Sequence, residues 1–242
     1  MKSLRQEYKY IFSSLTIILL ISVALVFLVV SLVINYAAGI YASEIASNSV
    51  SDILLNRLPV WNVNVIFVDG AVMFWFFITG LLILQPRRVP FTIKSIALFI
   101  TIRSFFIILT HIAPFPQHSA LSPNIIMDRV MFSGDLFFSG HTGLPFLMAL
   151  IYWSEPYLRF LFLACSLIFG SAALLGHLHY TIDVLGAFFI TYTIYDIAKF
   201  LFKFDLALFN SESFAEHFAK TAKKIKKSKA LLPRRIQKGF QM

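Results

Sequence analysis

Apolar residues run through this chain in long blocks rather than at the three- and four-residue spacing of a surface helix. Windows of ~20 apolar residues bounded by charge, proline or glycine fall at 10–34, 64–84, 91–112, 141–153, 158–175 and 181–201. A stretch that is apolar on every side suits a lipid or protein interior, so the pattern predicts an all-α integral membrane bundle of six transmembrane helices.

Composition agrees and narrows the class. The chain is 58% hydrophobic and 16% aromatic, with only 14% charged residues, far from the balance of a soluble domain. With 242 residues, six spans leave no room for a large extramembrane domain. The first block is too long for the h-region of a cleaved signal peptide, so it reads as a retained helix, although the small residues Ala37 and Ala38 keep a cleavage reading open. The single cysteine, Cys165, excludes an intramolecular disulfide.

Charge sets an expected direction. Lys2, Arg5 and Lys9 precede the first block, Arg87, Arg88 and Lys94 fill the second connection, Arg159 marks the fourth, and a basic tail follows the last. By the positive-inside rule these belong on the cytoplasmic side with both termini. His111, His118, His141, His177 and His179 then share the non-cytoplasmic face, and only His217 lies inside. Of the net charge of +9, residues 199–242 supply +8, so the basic balance belongs to the tail. The expected division is a membrane domain over 1–203 and a basic cytoplasmic tail over 204–242. Phe214, Phe218 and Ile225 among the tail lysines suit either a helix lying on anionic inner-leaflet lipids or a solvated segment that enforces orientation. No recognition fold for nucleic acid is available.

Two polar clusters carry the chemistry. In "GHLHYTID", His179 and Asp183 are four apart, so on one helix face the carboxylate would orient the imidazole and leave its other nitrogen as nucleophile or base. A buried structural pair would have the same spacing. In "SGDLFFSGHTG", Ser139, Gly140 and His141 open the fourth block on the same face, where a hydroxyl, free helix amides and an imidazole suit a phosphate-like anion. An N-cap serine explains Ser139 alone but not the convergence of both clusters.

"SGDLFFSGHT" and "HLHYTIDVLGAFFIT" resemble the two signature segments of the sphingomyelin synthase family, within the type 2 phosphatidic acid phosphatase superfamily. "IRSFFIILTHIAPFP" is similar to a third, more diffuse family segment, and the likeness spans roughly residues 58–203. The chain has Ser133-Gly134-Asp135 where the family commonly has Cys-Gly-Asp. It also lacks the phosphatase branch's Lys/Arg motif and the Arg six residues before the second histidine, where Ala173 stands. The resemblance implies that His179 attacks phosphorus, that Asp183 orients it and that His141 protonates the leaving alcohol. It also implies a phospholipid donor, a ceramide-like lipid alcohol as acceptor and no cofactor.

Arg103, deep in the third block, is the first candidate cation for the phosphoryl oxygens, because an arginine there costs at least ~2.5 kcal/mol unless it is paired or in a polar cavity. Arg129 is a second. Asp69 either approaches the histidines or a choline-like cation, or bonds a neighbouring helix, and Asp135 joins the substrate-binding set with Ser139, Gly140, Arg103 and Asp69. A zinc or iron site on His141, His177, His179 and Asp183 is a rival use of the same side chains. The repeated HxxxH and HxxHH boxes of membrane di-iron enzymes are missing, so no metal is expected. The reading is a phosphotransferase. A lipid phosphatase would use the same residues with water as acceptor, and a silent scaffold would not need the intact His-His-Asp set.

Overall fold

A computed structural model describes residues 4–121 and 136–210. Its described residues form eight helices and no strand: α1 (Leu4–Ser13), α2 (Leu15–Glu44), α3 (Gly70–Leu84), α4 (Val89–Leu109), α5 (Gly140–Ile151), α6 (Pro156–Leu175), α7 (Thr181–Leu201) and α8 (Lys203–Phe209). A π-helical turn, Val65–Asp69, leads into α3, and a 3₁₀ turn, Pro86–Arg88, leads into α4. Asp135, Arg129, the "SGD" of the first cluster and tail residues 211–242 lie outside the described residues.

Five helices among the described residues are long and apolar enough to cross a membrane: Leu15–Glu44, Val65–Leu84, Pro86–Leu109, Pro156–Leu175 and Thr181–Leu201. The fourth expected block, 141–153 and the shortest of the six, is found as the 12-residue α5. At 1.5 Å per residue it is about 18 Å long, short of the ~30 Å of a bilayer's hydrocarbon core. It is short because it is the centre of the bundle. Nine of its twelve residues are buried, and α4, α6 and α7 pack around it. Gly143 makes this closeness possible, since a Cβ there would sit 2.8 Å from the Phe99 ring of α4 and 2.8 Å from Thr191 Oγ1 of α7.

The expected first span, 10–34, splits at Ser14, whose backbone is extended, and α2 then runs ten residues past its expected end. The apolar run stops at Asn35, but the helix does not need apolar residues there. Ala24, Ser31, Ala38, Gly39 and Ala42 form a buried stripe of small side chains, and α4 is its main neighbour. Small residues let two backbones approach closely where lipid provides no hydrophobic drive between helices.

From α2 to α7 the connections meet alternately at opposite ends, which gives the bundle two chemically distinct ends. At one end, Lys94 Nζ donates to Asp205 Oδ2 at 2.7 Å, Arg88 pairs with Glu155, and the Arg88 guanidinium lies 4.7 Å from the centre of the Phe209 ring. These contacts seat α8, the first part of the expected tail, against α4 and the 3₁₀ turn. At the other end the connections are sewn together. The amide of Ser119 donates to Gly176 O (2.8 Å), that of Trp61 to Leu175 O (2.9 Å) and that of Ser47 to His111 O (2.8 Å). Tyr180 Oη donates to Ala113 O at 2.8 Å.

Candidate functional site

The histidine-bearing turn 176–180 sits at this sewn end, between α6 and α7. His179 precedes α7 instead of lying within it, because the helix starts at Thr181 with Tyr180 as its N-cap. The pair with Asp183 therefore does not arise from helical i, i+4 stacking. Asp183 Oδ2 accepts the Tyr180 amide at 2.9 Å, the return half of a capping box, and this fold-back carries the carboxylate under His179. The separation from His179 Nδ1 to Asp183 Oδ2 is 3.6 Å, an ion-pair contact longer than a hydrogen bond. Catalytic pairs often tighten only when substrate is engaged. Both side chains are deeply buried, at 5% and 1% exposure.

Asp52, from the 45–64 connection, completes the start of α7. Its Oδ2 accepts the Thr181 amide and its Oδ1 the Thr181 hydroxyl, both at 2.7 Å. A carboxylate against free helix amides is favourable. Burial pushes the Asp52 carboxyl up, but the hydrogen bonds from Thr181, Leu55 and Leu54 outweigh it and hold the group below its ordinary value.

The second cluster meets the first through the backbone, with the Ser139 amide donating to Asp183 O at 3.1 Å. Ser139 is the N-cap of α5: its hydroxyl accepts from Thr142 N at 3.4 Å and from Thr142 Oγ1 at 3.1 Å, and the side chain is fully buried. Gly140 follows. A Cβ on it would lie 3.2 Å from Arg103 Nε, so glycine lets the guanidinium rest against the first turn of α5. Arg103 stands six residues before the end of α4, near the sewn end and not midway along the helix, and its Nε donates to Phe138 O at 2.6 Å.

Phe67, on the π-helical turn, had no signal in the sequence. Its ring stacks on His141 with centroids 3.7 Å apart and planes inclined by 23°, and it lies 6.4 Å from the His179 ring. A π turn re-aims side chains relative to an α-helix and recurs at functional sites. Only its contact with an imidazole reveals its place.

A cavity of about 710 Å³ opens beside these groups. Arg103, Gly140, His141, His177 and His179, with His118 and Ser119, are among its polar lining, while Leu32, Ala71, Trp75, Phe99 and other apolar residues line much of the rest. Ser139 and Asp69 are not among the lining residues. Asp69 is exposed at the end of the π-helical turn, just before α3, and His111 is exposed with Nε2 bonded to Ile108 O. Among the described residues no three His, Cys, Asp or Glu side chains converge as metal ligands.

The fold and site together define a helical membrane protein with a histidine-lined pocket at one end of its bundle, one of whose histidines, His179, is backed by the Asp183 carboxylate. Residues 133–200, which hold Ser139, Gly140, His141, His179 and Asp183, match the PAP2 superfamily C-terminal family model, and that match supports a place in the PAP2 superfamily. No curated protein and no solved structure matches the chain.

Proposed function

We propose that this chain is an integral-membrane lipid phosphotransferase that moves phosphocholine or phosphoethanolamine from a glycerophospholipid to a ceramide-like lipid alcohol. The observation that carries the reading is that His141 and the Asp183-paired His179 face one largely apolar cavity beside Arg103.

With its Nδ1 proton directed at Asp183, His179 offers the Nε2 lone pair to phosphorus. The N–P bond forms as the P–O bond to diacylglycerol breaks, and protonated His141 gives its proton to the departing alkoxide. The phospho-histidine is then attacked by the acceptor hydroxyl. The O–P bond forms, the N–P bond breaks, and the hydroxyl proton returns to His141, which ends as it began. Arg103 and the first amides of α5 offset the charge on the non-bridging oxygens. The apolar walls limit water and suit lipid chains.

Lipid hydrolysis by the same residues, with water in the second step, is the alternative, since the superfamily match falls on the segments that hold the histidines. In the proposed orientation the sewn end faces the non-cytoplasmic side. Arg87, Arg88 and Lys94, at the opposite end, support it by the positive-inside rule, and the basic tail would meet anionic lipids there.

The test supplies head-group-labelled phosphatidylcholine or phosphatidylethanolamine with ceramide in micelles and follows both new phospholipid and free phosphorylated head group. Transfer requires new phospholipid that vanishes in His179→Ala and falls by up to about 10⁴-fold in Asp183→Asn. Head group released at one rate with or without ceramide, with no new phospholipid, would establish the hydrolase instead.

A further inference from the structure

His177 is absent from the mechanism above, yet the fold holds it under strain. Its φ is 52°, the one left-handed non-glycine residue among those described, and its side chain is only 3% exposed. A non-glycine residue in this region is strained, and such strain persists where the surroundings enforce it. The enforcing contacts are visible. The His177 amide donates to Leu174 O at 3.0 Å, and the ring packs edge-on against Phe115 with centroids 5.2 Å apart.

The ring's second contact fixes its chemistry. Nδ1 lies 2.9 Å from the carbonyl oxygen of Gln117. A carbonyl only accepts, so Nδ1 carries the proton, and the neutral ring has its lone pair on Nε2. That Nε2 is buried and meets no hydrogen-bond partner among the described residues, although His177 lines the same cavity as His141 and His179. A buried acceptor without a donor is costly, and because His177 is a lining residue of the cavity, a ligand there is the partner able to supply the missing donor.

We infer that His177 Nε2 accepts a hydrogen bond from a hydroxyl or amide N–H of the acceptor lipid, adjacent to the reacting hydroxyl, and so selects acceptors carrying a second donor. The inference rests on the transfer reading. It sets His177 apart from the phosphoryl-binding groups, which must donate where His177 accepts. A lipid whose only donor is its reacting hydroxyl leaves Nε2 unpaired and is disfavoured, as happens when a site built for an N–H or O–H meets an analogue without one.

Two variants separate ligand binding from a structural role. The amide of asparagine reaches the position of Nδ1 and tolerates the left-handed backbone, so His177→Asn keeps the Gln117 bond and loses Nε2. Glutamine reaches the position of Nε2 instead, so His177→Gln keeps an acceptor there. The assay gives each protein labelled phosphatidylcholine and phosphatidylethanolamine, with ceramide or a chain-matched diacylglycerol as acceptor. Wild type is expected to favour ceramide in kcat/KM by about tenfold, the value of one neutral hydrogen bond, and His177→Asn to erase that preference with the donor KM unchanged. His177→Gln should retain most of it. A structural role gives the reverse order, with His177→Asn near wild type and His177→Gln impaired toward both acceptors, and overturns the inference. So does a wild type that uses both acceptors equally, or a change in His177→Asn confined to the donor KM, while either result leaves transfer standing. A wild type that transfers to neither acceptor and only releases head group removes the transfer reading and this inference together.

Discussion

Phe67 lies flat against His141, with ring centroids 3.7 Å apart, and fixes the plane of the imidazole from a different helix. An acid that must meet a leaving oxygen needs its ring held to a fraction of an ångström, and the stacked aromatic adds to the hold of a hydrogen bond to the Phe67 backbone. Phe67→Leu keeps apolar volume but removes the stack. We expect kcat to fall between about ten- and a hundredfold with a smaller change in donor KM, measured as labelled head-group transfer. An unchanged kcat in a folded Phe67→Leu protein would leave the stack without a catalytic role.

Asp52 ties the 45–64 connection to the start of α7, and its carboxyl is held below its ordinary value by the bonds from Thr181, Leu55 and Leu54. A carboxyl whose folded value is lower than its unfolded one stabilises the fold fully above the unfolded value, and that contribution is lost as pH falls through the folded value. Melting temperature in detergent should therefore drop more steeply below about pH 4 in wild type than in Asp52→Asn. Parallel curves for the two proteins would show that the contact carries no pH-dependent stability.

Lys94 and Asp205 form a buried pair at 2.7 Å, at 6% and 3% exposure, far from the histidines. Removing one partner strands the other charge, so Asp205→Ala should destabilise by about 3–5 kcal/mol, whereas the apolar double variant Lys94→Met/Asp205→Leu should recover most of that loss. Thermal or chemical unfolding of the purified proteins reads this directly. A double variant as unstable as the single one would mean that α8 is held by something other than neutralised charge.

Ile53 is 78% exposed on the 45–64 connection at the sewn end. In a protein with Cys165 replaced by alanine, a cysteine at Ile53 should react with an impermeant thiol reagent in intact cells, and one at Gln241 should react only after permeabilisation. The opposite labelling would reverse the orientation proposed for the site.

The parts of this architecture that depend on continuous apolar runs were readable from the chain. The last apolar block is expected and found as α7 at 181–201, and the fifth block, 158–175, differs from α6 only by its proline-led start. Where an element answers to its neighbours, the run length misleads. α2 outlasts its apolar run because small residues pack on α4, whereas the short block at 141–153 already has nearly the length of α5. The site shows the same division. His179 and Asp183 are recognisable by spacing, although a capping fold-back and not a helix face joins them. Phe67 and Asp52 were illegible, since one depends on a π turn and the other reaches Thr181 across 129 residues of sequence.

The shortness of α5 has an electrostatic consequence. Its Ile151 end lies toward the Arg88–Glu155 pair; if those charges sit at a headgroup layer, the length of α5 would leave its Gly140–His141 end inside the hydrocarbon thickness. A helix terminus carries roughly half an elementary charge, and in water this is screened to little effect. Sunk in a medium of low dielectric, the same half-charge acts on an anion several times more strongly. Under the proposed function, the short helix would make the floor of the cavity a phosphate trap that deepens as water leaves it, in which the lipid's own chains, by filling the cavity, would tighten the hold on its head.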